Sequence, residues 1–221
     1  MTDFVNRADI ERKLARVIAK DLRNELDKLM DYLGDPPDLS RVPPEYWNNG
    51  WRGIQKDVEP ILVDTFIQQA EAAAGNVGIG LDWALTNMDA SNYARNNLEK
   101  TLRDLFGKTY DGVSVTVPKF FEQNWTIDDL RRELGRWHSP VRAEMIAVTE
   151  TTRAAVEGER AAMAELEKAT GKRMVEVWLT DKDDRVCLIC RPRHKQVIKD
   201  GMYPPAHPRC RCMIGWERVE E

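Results

Sequence analysis

The chain has 221 residues, of which 42% are hydrophobic and 32% are charged, which is typical of a soluble protein that buries a core. Its net charge of −4 argues against a protein that coats nucleic acid with its whole surface, although residues 171–218 hold eleven Lys or Arg against six Asp or Glu. No apolar run approaches the roughly 20 residues that span a bilayer, and the first residues lack a signal-peptide pattern, so we expect no membrane contact and a reducing cytoplasm.

The first part of the chain predicts two long helices. Apolar residues recur mostly three to five apart from about Asp3 to Leu33, which is the pattern of an amphipathic helix, and Gly34 is expected to end it. A second helix is predicted from near Trp51 to Ala74, with a kink or an interruption at Pro60. The three glycines within residues 75–80 have the wrong spacing for a phosphate-binding loop and predict a turn.

The middle of the chain predicts three further helices and one strand. The helices fall at about residues 82–88, 91–106 and 127–137. Thr126 and Asp129 form a capping pair for the last of these helices, with Asp in the place of the usual Glu. Alternation of valine with small polar residues over 113–117 predicts a short strand that Pro118 ends.

The last part of the chain predicts one long helix and a small sheet. Ser139 is a helix cap and Pro140 fits the first helical position, so a helix is expected from there to about Lys168. Strands are predicted at 174–179, at about 211–216 and, as a short addition, at 196–198. The fold class is therefore predicted to be α+β, with a helical region over residues 1–119 and a compact second domain over residues 120–221.

All four cysteines lie in this last part, close to a histidine. Cys187-x2-Cys190 forms a knuckle, and His207-x2-Cys210-x-Cys212 follows. Zinc prefers four tetrahedral ligands drawn from thiolate and imidazole, and a reducing compartment favours metal binding over disulfides. We predict a structural zinc site held by Cys187, Cys190, His207 and Cys210, with Cys212 as a rival for the fourth position.

Two other interpretations of the cysteines stay open at this stage. They are small apolar residues that a core buries readily, and they are also able to pair as disulfides. If a metal is bound, a full set of four protein ligands leaves no position for water or substrate, which favours a structural role over a catalytic one.

Other polar residues of the region are weaker candidates for a site. His194 lies in a basic loop between the two ligand pairs and is a possible ligand or nuclease base, but a solvated basic loop is the preferred interpretation. Asp181, Asp183 and Asp184 form a carboxylate cluster that the chemistry of a turn explains. His138 precedes a helix start and is interpreted as a boundary residue.

Three elements of the C-terminal region, taken in order, resemble a known family. They are the helix Glu-Met-Ile-Ala-Val-Thr-Glu-Thr-Thr-Arg at 144–153, the run Asp-x2-Asp-Arg-Val-Cys-x2-Cys at 181–190, and the closing Pro-Pro-Ala-His-Pro-Arg-Cys-Arg-Cys at 204–212. A predicted strand with Trp178 lies between the first two. In this order they resemble the head morphogenesis, or minor head, proteins of tailed phages, the family named after the phage Mu F protein, over about residues 120–216.

The resemblance implies a non-enzymatic minor component of the phage head that takes part in head assembly, genome packaging or genome delivery. Its expected partners are the portal protein, the major capsid protein or both. We expect several copies in the head interior or at the portal vertex of the virion, after assembly in the host cytoplasm. The basic C-terminal surface is expected to make weak, non-specific contact with packaged DNA through phosphates.

Two alternatives belong to other functional classes. One is a zinc-stapled nuclease or other DNA-processing enzyme, with His194 or His207 beside a second metal at Asp183 or Asp184. The other is a small zinc-binding adaptor of the host cell.

Overall fold

A computed structural model describes residue 4 and residues 6–78, 80–171, 173–180, 186–199 and 201–218. It is 72% helical and holds a two-stranded antiparallel sheet, which confirms the predicted α+β class. In the described part of the chain six α-helices precede the sheet: Arg7–Leu33 (α1), Pro44–Asn49 (α2), Trp51–Val77 (α3), Trp83–Glu122 (α4), Ile127–Leu134 (α5) and Pro140–Thr170 (α6). The strands are Met174–Leu179 (β1) and Met213–Arg218 (β2). Among these described helices, none combines the length and the apolar character that a membrane crossing requires.

The ends of several helices lie where the sequence predicts them. Gly34 follows α1 with a φ of 69°, and its N–H donates to the carbonyl oxygen of Met30. Thr126 and Asp129 form a complete capping box at the start of α5, in which each side chain accepts from the other residue's backbone N–H. Ser139 caps α6 by accepting from the N–H of Arg142. The predicted first residues of α1, before Arg7, lie largely outside the described residues.

Two helices are longer than the sequence predicts. α3 continues through Pro60 as one helix, so of the two alternatives predicted there, a kink or an interruption, the interruption is wrong. Val58 and Leu62, on either side of the proline, are almost completely buried. Packing on this scale offsets the hydrogen bond that proline cannot donate. α4 takes in both helices predicted at 82–88 and 91–106 as one continuous element.

The strand predicted over residues 113–117 is also wrong, because this segment lies inside α4. Val113 and Val117 are buried and share one helical face, whereas Val115 is 61% exposed. A valine at every second position therefore fits a helix as well as a strand, provided that one face of the helix packs against a neighbour. Here the buried face packs against α5.

The main hydrophobic core is built by α1, α3, α4 and α6 together. α6 packs closely along both α1 and α3. At Gly158 the backbones of α6 and α3 are in close contact, because a Cβ placed on Gly158 would lie 2.2 Å from the carbonyl oxygen of Phe66. α6 thus shares one core with the helices before it, although the predicted boundary after residue 119 assigns it to the second domain. From the end of this buried helix the chain passes directly into β1.

The sheet is small and lies beside α6. β1 and β2 pair antiparallel, with Val177 opposite Gly215 and Leu179 opposite Met213. The short third strand predicted at 196–198 is present only as a single bridge between Val177 and Val197. The sheet therefore brings the segment after β1 and the segment before β2, which hold all the cysteines, next to each other.

Candidate metal centre

The predicted ligands meet in one cluster. The ligand atoms of Cys187, Cys190 and His207 all lie within 4.8 Å of one another, and so do those of Cys190, Cys210 and Cys212. Cys190 belongs to both groups and joins them, so the predicted set of Cys187, Cys190, His207 and Cys210 is divided between two overlapping groups of three. Cys190, Cys210 and Cys212 are at most 5% exposed, whereas Cys187 is partly exposed.

The knuckle is shaped by its own backbone. Cys187 and Cys190 are joined by a turn, in which the N–H of Cys190 donates to the Cys187 sulfur over 3.4 Å. The N–H of Arg191 donates to the Cys187 carbonyl oxygen over 3.0 Å, and a short 3₁₀ turn follows. N–H groups that point at a sulfur favour its thiolate form, which is the form that binds metal.

Of three donor distances in the cluster, one matches the separation of ligands around a tetrahedral ion and two are shorter. Sulfur and nitrogen ligands at ordinary zinc distances stand about 3.5–3.8 Å apart. The Cys190 and Cys210 sulfurs are 3.8 Å apart, and the His207 Nε2 lies 3.0 Å from the Cys187 sulfur and 3.3 Å from the Cys190 sulfur. His207 Nδ1 lies 2.8 Å from the carbonyl oxygen of Pro208, which leaves Nε2 to face the cysteines.

The pKa values of the buried cysteines are shifted in opposite directions. The pKa of Cys210 is lowered to about 5, mainly by a hydrogen bond from Cys212. Burial raises this pKa, but the Cys212 bond and further hydrogen bonds together have the larger effect. Burial raises the pKa of Cys190 to about 12, and the bond to Cys210 together with burial raises the pKa of Cys212. Metal ligation needs cysteines in the thiolate form, so a cation that binds here displaces the remaining thiol protons.

A small core encloses the cluster. Trp178, on β1, is 1% exposed and packs with Cys190, Cys210 and Cys212, and four partly buried apolar residues surround them. Apart from Trp178, the buried members of this core are cysteines.

The other two candidate histidines lie outside the cysteine cluster. His194 is turned toward the end of β1, where its Nδ1 accepts from the backbone N–H of Thr180 over 3.2 Å, and it is outside both metal-binding groups. His138 is buried at the start of α6, with its Nδ1 3.1 Å from the Leu134 carbonyl oxygen, as its interpretation as a boundary residue implies. Asp181, Asp183 and Asp184 lie outside the described residues.

The helix that contributes to the family resemblance touches the cluster directly. Thr152 on α6 donates its hydroxyl to the Cys210 carbonyl oxygen over 2.8 Å, in a fully buried bond. The N–H of Arg209 donates to the hydroxyl of Thr149 over 3.0 Å. Two separate parts of the sequence resemblance, almost 60 residues apart, are therefore in contact in the fold.

Sequence reasoning missed the contribution of α1 to this site. Arg7 and Glu11 reach the closing Cys-Arg-Cys segment through Arg211. Their separation of about 200 residues left no local pattern to detect. The one signal in the sequence is that Glu11 falls on the apolar stripe of α1, three residues before Leu14, and without a known partner it could not be interpreted.

Comparisons with protein-family models, with curated proteins and with solved structures found no match for this chain.

Proposed function

We propose that the chain is a non-enzymatic minor head protein of a tailed phage. The observation that carries the proposal is the contact between the two halves of its family resemblance. The Thr149–Thr152 turn of α6 hydrogen-bonds to the backbone of Arg209 and Cys210 in the closing Pro-x-His-x2-Cys-Arg-Cys segment. These bonds support the proposal by placement: the two motifs, almost 60 residues apart in the sequence, lie against each other in the fold.

The proposed metal is zinc, held by Cys187, Cys190, His207 and Cys210, with Cys212 as the rival for the fourth position. Thiolate and imidazole donors suit zinc better than magnesium or calcium, which prefer oxygen ligands. A set of four protein ligands gives the ion a structural role, and the small core around Trp178 needs such support.

The proposed partners are the portal protein, the major capsid protein or both. The helical region before α6 is the proposed contact surface, and the basic segment after α6 is proposed to touch packaged DNA through phosphates. In this proposal the protein resides in the virion, in the head interior or at the portal vertex, in several copies.

Copurification tests the head assignment. The tagged chain, co-expressed with the portal protein encoded near its gene, is expected to retain the portal through affinity and size-exclusion steps, and purified heads are expected to contain the chain. Absence from heads together with failure to bind portal contradicts the proposal. A gene far from any portal gene favours a host adaptor, and metal-dependent DNA cleavage that is lost in His194→Ala favours a nuclease.

Metal analysis tests the zinc site separately. We expect protein purified under reducing conditions to carry one zinc ion per chain. Cys210→Ser is expected to lose the ion, whereas Cys212→Ser is expected to keep it. The opposite result for this matched pair assigns the fourth ligand to Cys212, and zinc-free wild-type protein contradicts the site.

A further inference from the structure

The segment 209–212, which closes the cysteine cluster, is held by side chains of two helices. Thr152 on α6 donates to the Cys210 carbonyl oxygen over 2.8 Å. Arg7, in the first turn of α1, donates to the Arg211 carbonyl oxygen over 2.8 Å and to the Thr152 hydroxyl over 2.6 Å. The carbonyl groups of two consecutive residues beside the candidate ligands therefore have fixed partners outside the cysteine region.

A buried carboxylate holds the same segment by its side chain. Glu11 is 8% exposed, and both of its oxygens accept from the Arg211 guanidinium, over 3.2 Å from Nε and 2.7 Å from Nη2. Arg7 Nε also donates to Glu11 over 3.0 Å, so two cations balance the one buried charge. Bidentate pairs of this kind fix geometry as well as charge, and Arg211 stands between Cys210 and Cys212.

We propose that Thr152, Arg7 and Glu11 are positioning residues of the metal centre, which aim the Cys210 and Cys212 sulfurs by fixing the backbone between them. This inference rests on the metal site proposed above and does not depend on the phage assignment. Outer hydrogen bonds that orient metal ligands typically contribute about 10–100-fold to metal affinity. Because such coupling is reciprocal, a bound metal in turn fixes the first turns of α1.

A pair of neighbouring threonines gives a matched test. Thr151 and Thr152 are both fully buried on α6, but the Thr151 hydroxyl has no hydrogen-bond partner among the described residues. We expect Thr152→Val to weaken zinc and Co²⁺ binding by about 10–100-fold, measured by chelator competition in reducing buffer. Thr152→Ser, which keeps the hydroxyl, is expected to restore the affinity, and Thr151→Val is expected to leave it unchanged.

The α1 side of the network has its own matched pair. Glu11→Gln keeps the side-chain shape but removes the charge that Arg211 needs, so we expect weaker metal binding by a similar factor. Asp9→Asn changes an exposed carboxylate of the same helical turn that pairs only with Arg12 among the described residues, and no loss of affinity is expected. Hydrogen exchange of the first turns of α1 is expected to slow when zinc binds to the wild-type protein.

The outcomes separate this inference from the metal site itself. Wild-type protein that binds no zinc contradicts the site, whereas normal zinc binding by folded Thr152→Val and Glu11→Gln overturns the positioning network alone. Where a variant fails to fold, the wild-type protein decides the question: exchange in the first turns of α1 that is the same with and without zinc overturns the inference.

Discussion

The helical body (α1 to α6) and the cysteine segment (residues 173–218) hold their structures by different means. In the helical body, α1, α3, α4 and α6 share a continuous core of large aliphatic and aromatic side chains. In the cysteine segment, the buried residues around the candidate metal are one tryptophan and three cysteines, beside a two-stranded sheet. We therefore expect the first region to fold by the hydrophobic effect and the second to depend on a further source of free energy, such as the proposed metal.

The boundary between these regions differs from the boundary of the family resemblance. α6 carries part of the resemblance, yet its buried side chains complete the core of the helical body. The cysteine segment is thus attached to a rigid helix at one end and is held by Arg7, Glu11 and Thr152 at the other. Because the segment is anchored in this way, we expect removal of the proposed metal to change it locally.

Metal removal is expected to have the largest effect. A zinc chelator in reducing buffer should abolish the amide protection of β1, β2 and the knuckle, because structural zinc contributes about 10–16 kcal/mol in small domains at neutral pH. The helical body should keep its far-UV circular dichroism, and among its helices only the first turns of α1 should lose amide protection. Peptide-resolved hydrogen exchange measures both regions at once. The distinction between the regions would be lost if the sheet stayed protected after metal removal, or if the helices unfolded together with the sheet.

The sequence predicts the locally determined features of both regions. Gly34, the Thr126–Asp129 box and Ser139-Pro140 lie at helix ends because capping depends on residues within one turn. The candidate ligands were found because metal chemistry restricts both residue type and spacing.

Features that depend on distant packing were not predictable from one sequence. The valines of 113–117 belong to a helix because α5 covers Val113 and Val117, and nothing within the segment encodes that neighbour. The pairing of Glu11 with Arg211 joins residues 200 positions apart, and each residue alone resembles an ordinary surface charge.

Gly158→Ala tests the helical body by itself. The added methyl group would collide with the Phe66 backbone, so α3 and α6 must separate, and we expect the free energy of unfolding to fall by roughly 3 kcal/mol. Gly53→Ala is the control, because Gly53 is an exposed residue of α3 and a Cβ there meets nothing within 4 Å, so a gain of about 0.5–1 kcal/mol is expected. Urea denaturation followed by circular dichroism measures both variants. Equal stability of the two variants would contradict the close packing of α3 on α6.

His138 predicts a pH dependence of the helical body. Burial lowers the pKa of His138 to about 4, against 6.5 in the unfolded chain. Between these values the unfolded state binds a proton that the folded state does not, so the free energy of unfolding falls as the pH decreases from about 6.5 to 4, by up to about 3 kcal/mol. His138→Asn keeps a donor for the Leu134 carbonyl but does not titrate. The difference in free energy of unfolding between the variant and the wild type should therefore shrink as the pH falls through that window. Parallel pH profiles for the two proteins would contradict the assignment.

The smallest expected effect concerns the start of α5. Thr126→Ala removes the hydroxyl that accepts from the Asp129 N–H, and a lost helix cap costs about 1 kcal/mol. Thr126→Ser keeps that oxygen and is expected to match the wild type. Because α5 covers the buried face of α4 at Val113 and Val117, the loss should appear in the unfolding of the helices while zinc affinity stays unchanged. A loss of zinc affinity in Thr126→Ala would mean that the two regions are coupled through more residues than Arg7, Glu11 and Thr152. This small change in stability therefore tests how far the cysteine segment is independent of the helical body.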